Sequence, residues 1–183
     1  MGTERSGGAT SSAAHDIADF SSALGADATR HIEPAVARAW IALLVAYGRL
    51  TRALSSELMD ASGMSLADFD VLAQLARAEG QRLRMSELAD AVLISKSGLT
   101  RRIDRMAVNG WVRRQRCAED GRVFWAQLSP RGLKAFRDVA PAHLDAVARR
   151  FGAPLRHANL ERLTADLDSV AAANAERPVV SES

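Results

Sequence analysis

The chain has 183 residues, 48% of them hydrophobic, and a formal net charge of +2, which supplies enough apolar material for one domain with a buried core. That composition excludes a fibrous, wholly disordered or disulfide-built protein. A single cysteine, Cys117, excludes an internal disulfide and a multi-cysteine zinc cluster, and no run approaches the roughly eighteen apolar residues of a membrane span, so the expected compartment is the cytoplasm, with no membrane partner.

The small net charge hides an asymmetry. Residues 81–137 hold 13 Lys or Arg against 5 Asp or Glu, whereas the rest of the chain holds 11 against 17. Basic charge gathered on one segment, with acidic flanks, is the distribution expected when one face meets phosphates, although a solvated basic helix face would give the same count.

In chain order, residues 1–14 are rich in Gly, Ser, Thr and Ala and cannot offset the entropy of ordering, so a flexible tail is expected over 1–30, with a short accessory helix where Ile17, Phe20 and Leu24 recur. From Pro34 the pattern strengthens. Val36, Trp40, Leu43, Tyr47, Leu50 and Leu54 follow a helical repeat behind a proline suited to a first turn, which predicts a long helix ending near Gly63. A second line, Ile41, Leu44, Thr51 and Leu58, widens the stripe enough for packing both on its own domain and on a partner helix. Ser65 with Asp68 three residues on is a capping signature for a core helix through Phe69, Leu72, Leu75 and Ala76 that stops before Gly80.

Ser86 is then expected to start a short helix with Leu88, Ala89 and Val92 inward. After a turn at 93–95 comes another helix. Taking Leu99 as inward at about 100° per residue, Ile103 and Met106 fall within about 40° of it, while Ser97, Arg101, Asp104 and Val108 point the other way and Thr100 and Arg105 flank that outer face. Gly110 ends the helix. Two β-prone runs, 112–117 and 123–128, are joined by Ala-Glu-Asp-Gly-Arg, a hairpin signal, and Phe124, Ala126 and Leu128 alternate onto one face that should cover the helix pair. Ser129-Pro130 opens a helix with Leu133, Phe136 and Val139, then, past an expected kink at Pro141, Leu144, Val147 and Phe151. Asn159 caps a last helix carrying Leu160, Leu163, Leu167 and Val170, and 177–183 form a flexible tail. The predicted fold is mainly α with a small β-wing: a winged helix-turn-helix over about 65–130, with a two-stranded wing, and dimerisation helices over about 34–62 and 130–175.

The stretches SELADAVLISKSGLTRRIDRMAVNGWVRRQ, EDGRVFWAQLSPRG and GMSLADFDVLAQL, in this spacing, resemble the MarR family of winged-helix transcription regulators, a likeness covering roughly residues 34–172 within a MarR-like domain at 31–176. The resemblance implies that the helix beginning near Ser95 enters the major groove of double-stranded DNA, that a wing arginine reaches the minor groove, and that the terminal helices make a homodimer on a pseudo-palindromic operator. Carried over, Ser95, Ser97, Thr100 and Arg101 fill groove-facing positions, Lys96 and Arg105 adjoin them, and Asp120 and Arg122 fill the Asp-x-Arg positions of the wing. Elementary chemistry suits those roles. A helix N-terminus offers unpaired N–H groups to phosphates, and arginine grips guanine through two parallel hydrogen bonds.

Family members bind phenolic or other aromatic effectors between the dimer helices and the reading lobe. Here Trp40, Tyr47 and Phe69 are either core aromatics or walls of such a cavity, and Asp70 and Arg102 resemble polar positions of the urate-responsive branch, which also has a tryptophan on an added N-terminal helix where this chain has Phe20. The peroxide-sensing branch carries its cysteine near the start of the dimerisation helix, so Cys117 reads as a wing-strand residue. His15, His31, His143 and His157 form no H-x-x-x-H or H-E-x-x-H pattern, and neither a Gly-rich phosphate loop nor a G-x-S-x-G elbow is present, so no metal, cofactor or enzyme activity is expected. The expected function is a dimeric, sequence-specific DNA-binding regulator, a repressor released by a small aromatic or amphipathic effector. Two alternatives stay open: a winged helix that binds protein, and a ligand-binding protein that has lost DNA affinity.

Overall fold

A computed structural model describes residues 32–116 and 123–175; the expected accessory helix, the wing turn with Cys117, and both tails lie outside the described residues. Helix α1, Pro34–Ser62, starts with its proline in the first turn and ends where the Gly63 N–H returns to the Met59 carbonyl at 2.8 Å. Helix α2, Leu66–Arg77, is capped by Ser65, whose hydroxyl accepts the Asp68 N–H at 3.1 Å, as the sequence indicates.

The next segment departs from expectation. Gly80 and Gln81 take successive left-handed φ values, 61° and 54°, and turn the chain into a strand β1, Arg82–Arg84. The wing sheet therefore has three strands, ordered β1-β3-β2 and antiparallel throughout, with β2 at Val112–Arg116 and β3 at Phe124–Leu128. Three residues show too little alternation to be read as a strand, and β1 exists because β3 offers it a ladder.

Helix α3, Met85–Ala91, starts one residue before Ser86, because Glu87 turns back to accept the Arg84 N–H at 3.1 Å and makes Arg84 the cap. Leu93, at φ 54°, makes the tight turn into α4, Lys96–Val108, and Gly110 at φ 73° closes that helix. Helix α5, Pro130–Val147, is a continuous helix across Pro141, so no break occurs at the expected kink, and a π-helical turn, Ala148–Gly152, follows. Ser129 locks the start of α5: its hydroxyl accepts from the Gly132 N–H at 2.9 Å and donates to the Gly110 carbonyl at 2.6 Å. Helix α6, Leu160–Ala173, is capped by Asn159.

The described residues form two compact units, one through His143 and one from Leu144. The core of the first gathers Met64, Val71, Leu72, Leu75, Leu88, Leu99, Ile103 and Met106, all at most 1% exposed, with Val112, Ala126 and Leu128 of the sheet. Each such side chain contributes about 1.5–3 kcal/mol by leaving water, so this cluster dominates the unit's stability. In contrast, Val36, Trp40, Leu43 and Tyr47 of α1 are more than two-fifths exposed, as are Leu160, Leu167 and Val170 of α6.

Candidate nucleic-acid interface

The candidate interface is built on α4. Leu99, Ile103 and Met106 are fully buried and pin one side of the helix to the core, which fixes the direction of the other. Ser95, Lys96, Ser97 and Arg101 lie exposed on that outer side, and Thr100 is half-buried at its edge. The Ser95 hydroxyl is committed as a cap, accepting the Gly98 N–H at 3.1 Å with Ser97 Oγ 3.3 Å away. Thr100 Oγ1 donates to the Lys96 carbonyl at 3.0 Å, which leaves its oxygen able to accept a further hydrogen bond. Arg101 has no ion-pair partner among the described residues and is free to reach a base edge or phosphate.

The other predicted DNA-side arginine sits differently. Arg105 Nη2 lies 3.4 Å from Asp68 Oδ1, the oxygen that Arg102 Nη1 meets at 2.7 Å. Asp68 is buried, so α2 holds two cations of α4 through one carboxylate, which restrains the rotation of α4. Sequence spacing could not show this, since the partners are 34 and 37 residues apart. On the wing, Arg114 lies over Phe124, 4.2 Å from the ring centroid, and reaches Asp104 of α4 at 3.9 Å. Asp120 and Arg122 fall outside the described residues.

Next to this helix lies a cleft of about 960 Å³, bordered by Tyr47 and Thr51 of α1, Asp70 and Gln74 of α2, and Arg102 and Arg105 of α4. Of the residues singled out for an effector, Tyr47, Asp70 and Arg102 line it. Phe69 instead points into the core, its ring centroid 5.1 Å from Phe136 and 4.4 Å from His143, and Trp40 lies elsewhere on α1, 52% exposed. Two of the residues that border the cleft hold a polar atom buried without a hydrogen-bond partner, Gln74 Oε1 and Arg102 Nε. Burial raises the Asp70 carboxyl above its ordinary range, against the pull of His143 and Arg102, and burial lowers the His143 imidazole against the pull of Asp70. The sequence flagged neither Gln74 nor His143, because each acquires its role only through packing. Among the described residues no group of three His, Cys, Asp or Glu could hold a metal, and no helix is long and apolar enough to cross a membrane.

Comparison with known proteins agrees with this geometry. A family model described as MarR family matches residues 62–123, the span from the end of α1 to the wing. The transcriptional regulator PecS of Dickeya dadantii is 32% identical over 83 residues, 45% of this chain and 50% of its own, so the chain spans about half the length of the curated relatives it matches. Among solved structures, AbsC of Streptomyces coelicolor, a MarR family transcriptional regulator, superposes with a TM-score of 0.70 at 35% identity, over 76% of this chain and 94% of its own. Sco3205 of the same organism, a MarR family transcriptional regulator in complex with DNA, gives 0.68 at 30% identity, over 77% and 87%. With the three-stranded winged helix, the capped reading helix and near-complete coverage of AbsC at that identity, the chain belongs to the MarR family of transcriptional regulators.

Proposed function

We propose that this chain is a homodimeric, sequence-specific DNA-binding regulator acting in the cytoplasm, a repressor on a pseudo-palindromic double-stranded operator. One observation carries the reading: α4 is anchored by three fully buried side chains and turns Lys96, Ser97 and Arg101 outward next to its capped N-terminus. The similarity to Sco3205, solved with DNA, supports the same class of partner. In the family pattern the wing arginine, Arg122, takes the minor groove and Asp120 orients it. The exposed apolar stripes of α1 and α6 are suited to a second copy of the chain, whose two-fold symmetry the operator would mirror.

The cleft supports release by a small aromatic or amphipathic acid, with Arg102 for the acid group and the Tyr47 ring as an apolar wall. The primary test is fluorescence anisotropy with duplex DNA from beside the chain's own gene against unrelated duplex at one salt concentration. Specific binding should be tighter by at least about 10³. Equal affinity for both duplexes would reject the regulator reading in favour of a winged helix that binds protein.

A further inference from the structure

The side of the sheet turned away from the helices carries a second basic surface. Strand alternation puts Leu83, Ala126, Leu128 and Val112 toward the core, and the register then aligns Arg82, Gln127 and Arg113 in one outer row and Arg84, Trp125 and Gln115 in the next. The guanidinium carbons of Arg82 and Arg84 lie over the Trp125 ring, 4.9 and 5.5 Å from its centroid. All three arginines are exposed. Glu87 approaches Arg84 at 3.9 Å, and Arg82 and Arg113 have no carboxylate partner within ion-pair distance among the described residues. A shallow depression of about 670 Å³ opens here, bordered by Glu79, Gly80, Arg82, Leu83, Trp125 and Gln127.

Arg82 and Arg84 share β1 and Arg113 lies two strands away on β2, about 10 Å across the sheet, so three like charges crowd one face and the indole offsets this for only two of them. Whatever covers this face must bring several negative charges. The tryptophan is already occupied by arginines, so it is neither an open apolar anchor for a peptide nor a free stacking platform for single-stranded bases. Strand β1 is three residues long with arginine at both ends, a poor template for an added strand. What remains on offer is the N–H forks of guanidinium groups, which suit phosphate. The hairpin also carries an arginine on its other side, Arg114, stacked over Phe124 and 3.9 Å from Asp104 of α4. A hairpin lying in a groove has a phosphate strand on each side, and this one carries arginine toward both.

We propose that the outer face of the sheet is a second DNA contact, in which Arg82, Arg84 and Arg113 bind the phosphate backbone of duplex flanking the sequence read by α4. The inference rests on the DNA-binding reading above and adds a contact that carries no base information. Its consequence is a dependence of affinity on duplex length.

The test compares, for the full chain, a duplex trimmed to the pseudo-palindrome with one extended by about ten base pairs at each end, roughly one helical turn. The wild type should bind the extended duplex about tenfold more tightly at moderate salt and with a steeper salt dependence, by about one unit of slope for each arginine–phosphate contact. The double variant Arg82→Ala/Arg113→Ala should lose that gain and keep its affinity for the trimmed duplex, while Arg82→Lys/Arg113→Lys should keep most of both; equal melting temperatures confirm that all are folded. No preference for either duplex over unrelated DNA would reject the regulator reading itself. Specific binding of the trimmed duplex with no gain from length, or a gain that the alanine variant retains, overturns this proposal alone. Polyglutamate bound by the wild type but not by the alanine variant, with no effect of length, would overturn it too and assign the face to an acidic protein.

Discussion

Gly132 shows how much can turn on a hydrogen atom. A methyl group there would sit 2.0 Å from the Trp111 carbonyl oxygen, a backbone atom that cannot rotate aside, because α5 starts directly against the end of the turn after α4. Gly132→Ala should cost about 3 kcal/mol, at the upper end of ordinary overpacking, measured as a lowered midpoint of urea unfolding. An unchanged midpoint would show that the two segments approach less closely. His143 makes a different prediction. Its folded pKa lies below the ordinary 6.5 through burial, so its neutral form supports the fold fully above that value, and stability is lost as pH falls from there through the lowered folded value. Asp70 acts in the opposite sense: its raised pKa means stability present below 3.8 and lost as pH rises through the folded value. His143→Gln should therefore lose less melting temperature than wild type between about pH 7.5 and about pH 5.5. Equal losses would show that the imidazole is not desolvated.

At the level of elements, α4 is positioned from both sides, by buried apolar residues below and by Asp68 of α2 across the Arg102 and Arg105 guanidiniums. The two arginines that look equivalent in sequence, Arg101 and Arg105, therefore have different surroundings, Arg105 beside Asp68 and Arg101 with no ion pair among the described residues. Arg101→Ala should weaken binding to the specific site by about 1–3 kcal/mol per half-site with little effect on stability, as expected for a base-edge contact. Asp68→Asn should instead destabilise the fold, because one buried carboxylate serves two cations, and its effect on DNA should follow from a loosened helix. Thermal melts beside anisotropy titrations separate the two cases; an Arg101→Ala protein with wild-type affinity for its best site would show that the wrong face of α4 has been assigned to the groove.

For the whole molecule, the apolar residues exposed on α1 and α6 exceed what a lone chain keeps in water at no cost. The dimer should persist at micromolar concentration, and light scattering that finds a folded particle of 19.7 kDa there would exclude the proposed assembly. Two reading helices of the proposed dimer would fit successive major grooves only at about 34 Å, so a releasing ligand in the cleft would have to favour another spacing. A 100-fold release needs about 2.7 kcal/mol of coupling, and reciprocity requires operator DNA to lower ligand affinity by the same factor. Titrating a series of aromatic acids into free and DNA-bound protein measures both sides of that cycle; a ligand that binds both forms equally well cannot be the releasing effector.

The sequence alone determined what depends on residues a few positions apart. The Leu99, Ile103 and Met106 stripe, the Ser65 and Asn159 caps and the hairpin strands are all local, since helix periodicity and capping bonds close within four residues. That was enough to orient α4 and place its outward residues. The tertiary structure decided the rest. Strand β1 exists because β3 lies beside it, and Arg102 and Arg105 belong to Asp68 because the fold brings the start of α2 within ion-pair distance of both. Phe69 enters the core while Tyr47, only partly covered, borders the cleft, although both sit on helical stripes that look alike. Trp125 reads as one aromatic in a wing, yet the register of three strands sets it under two arginines and makes the sheet's outer face cationic. Burial and pairing across distant elements depend on how the helices cross and in what register the strands meet, and no periodicity within a single element encodes those geometries.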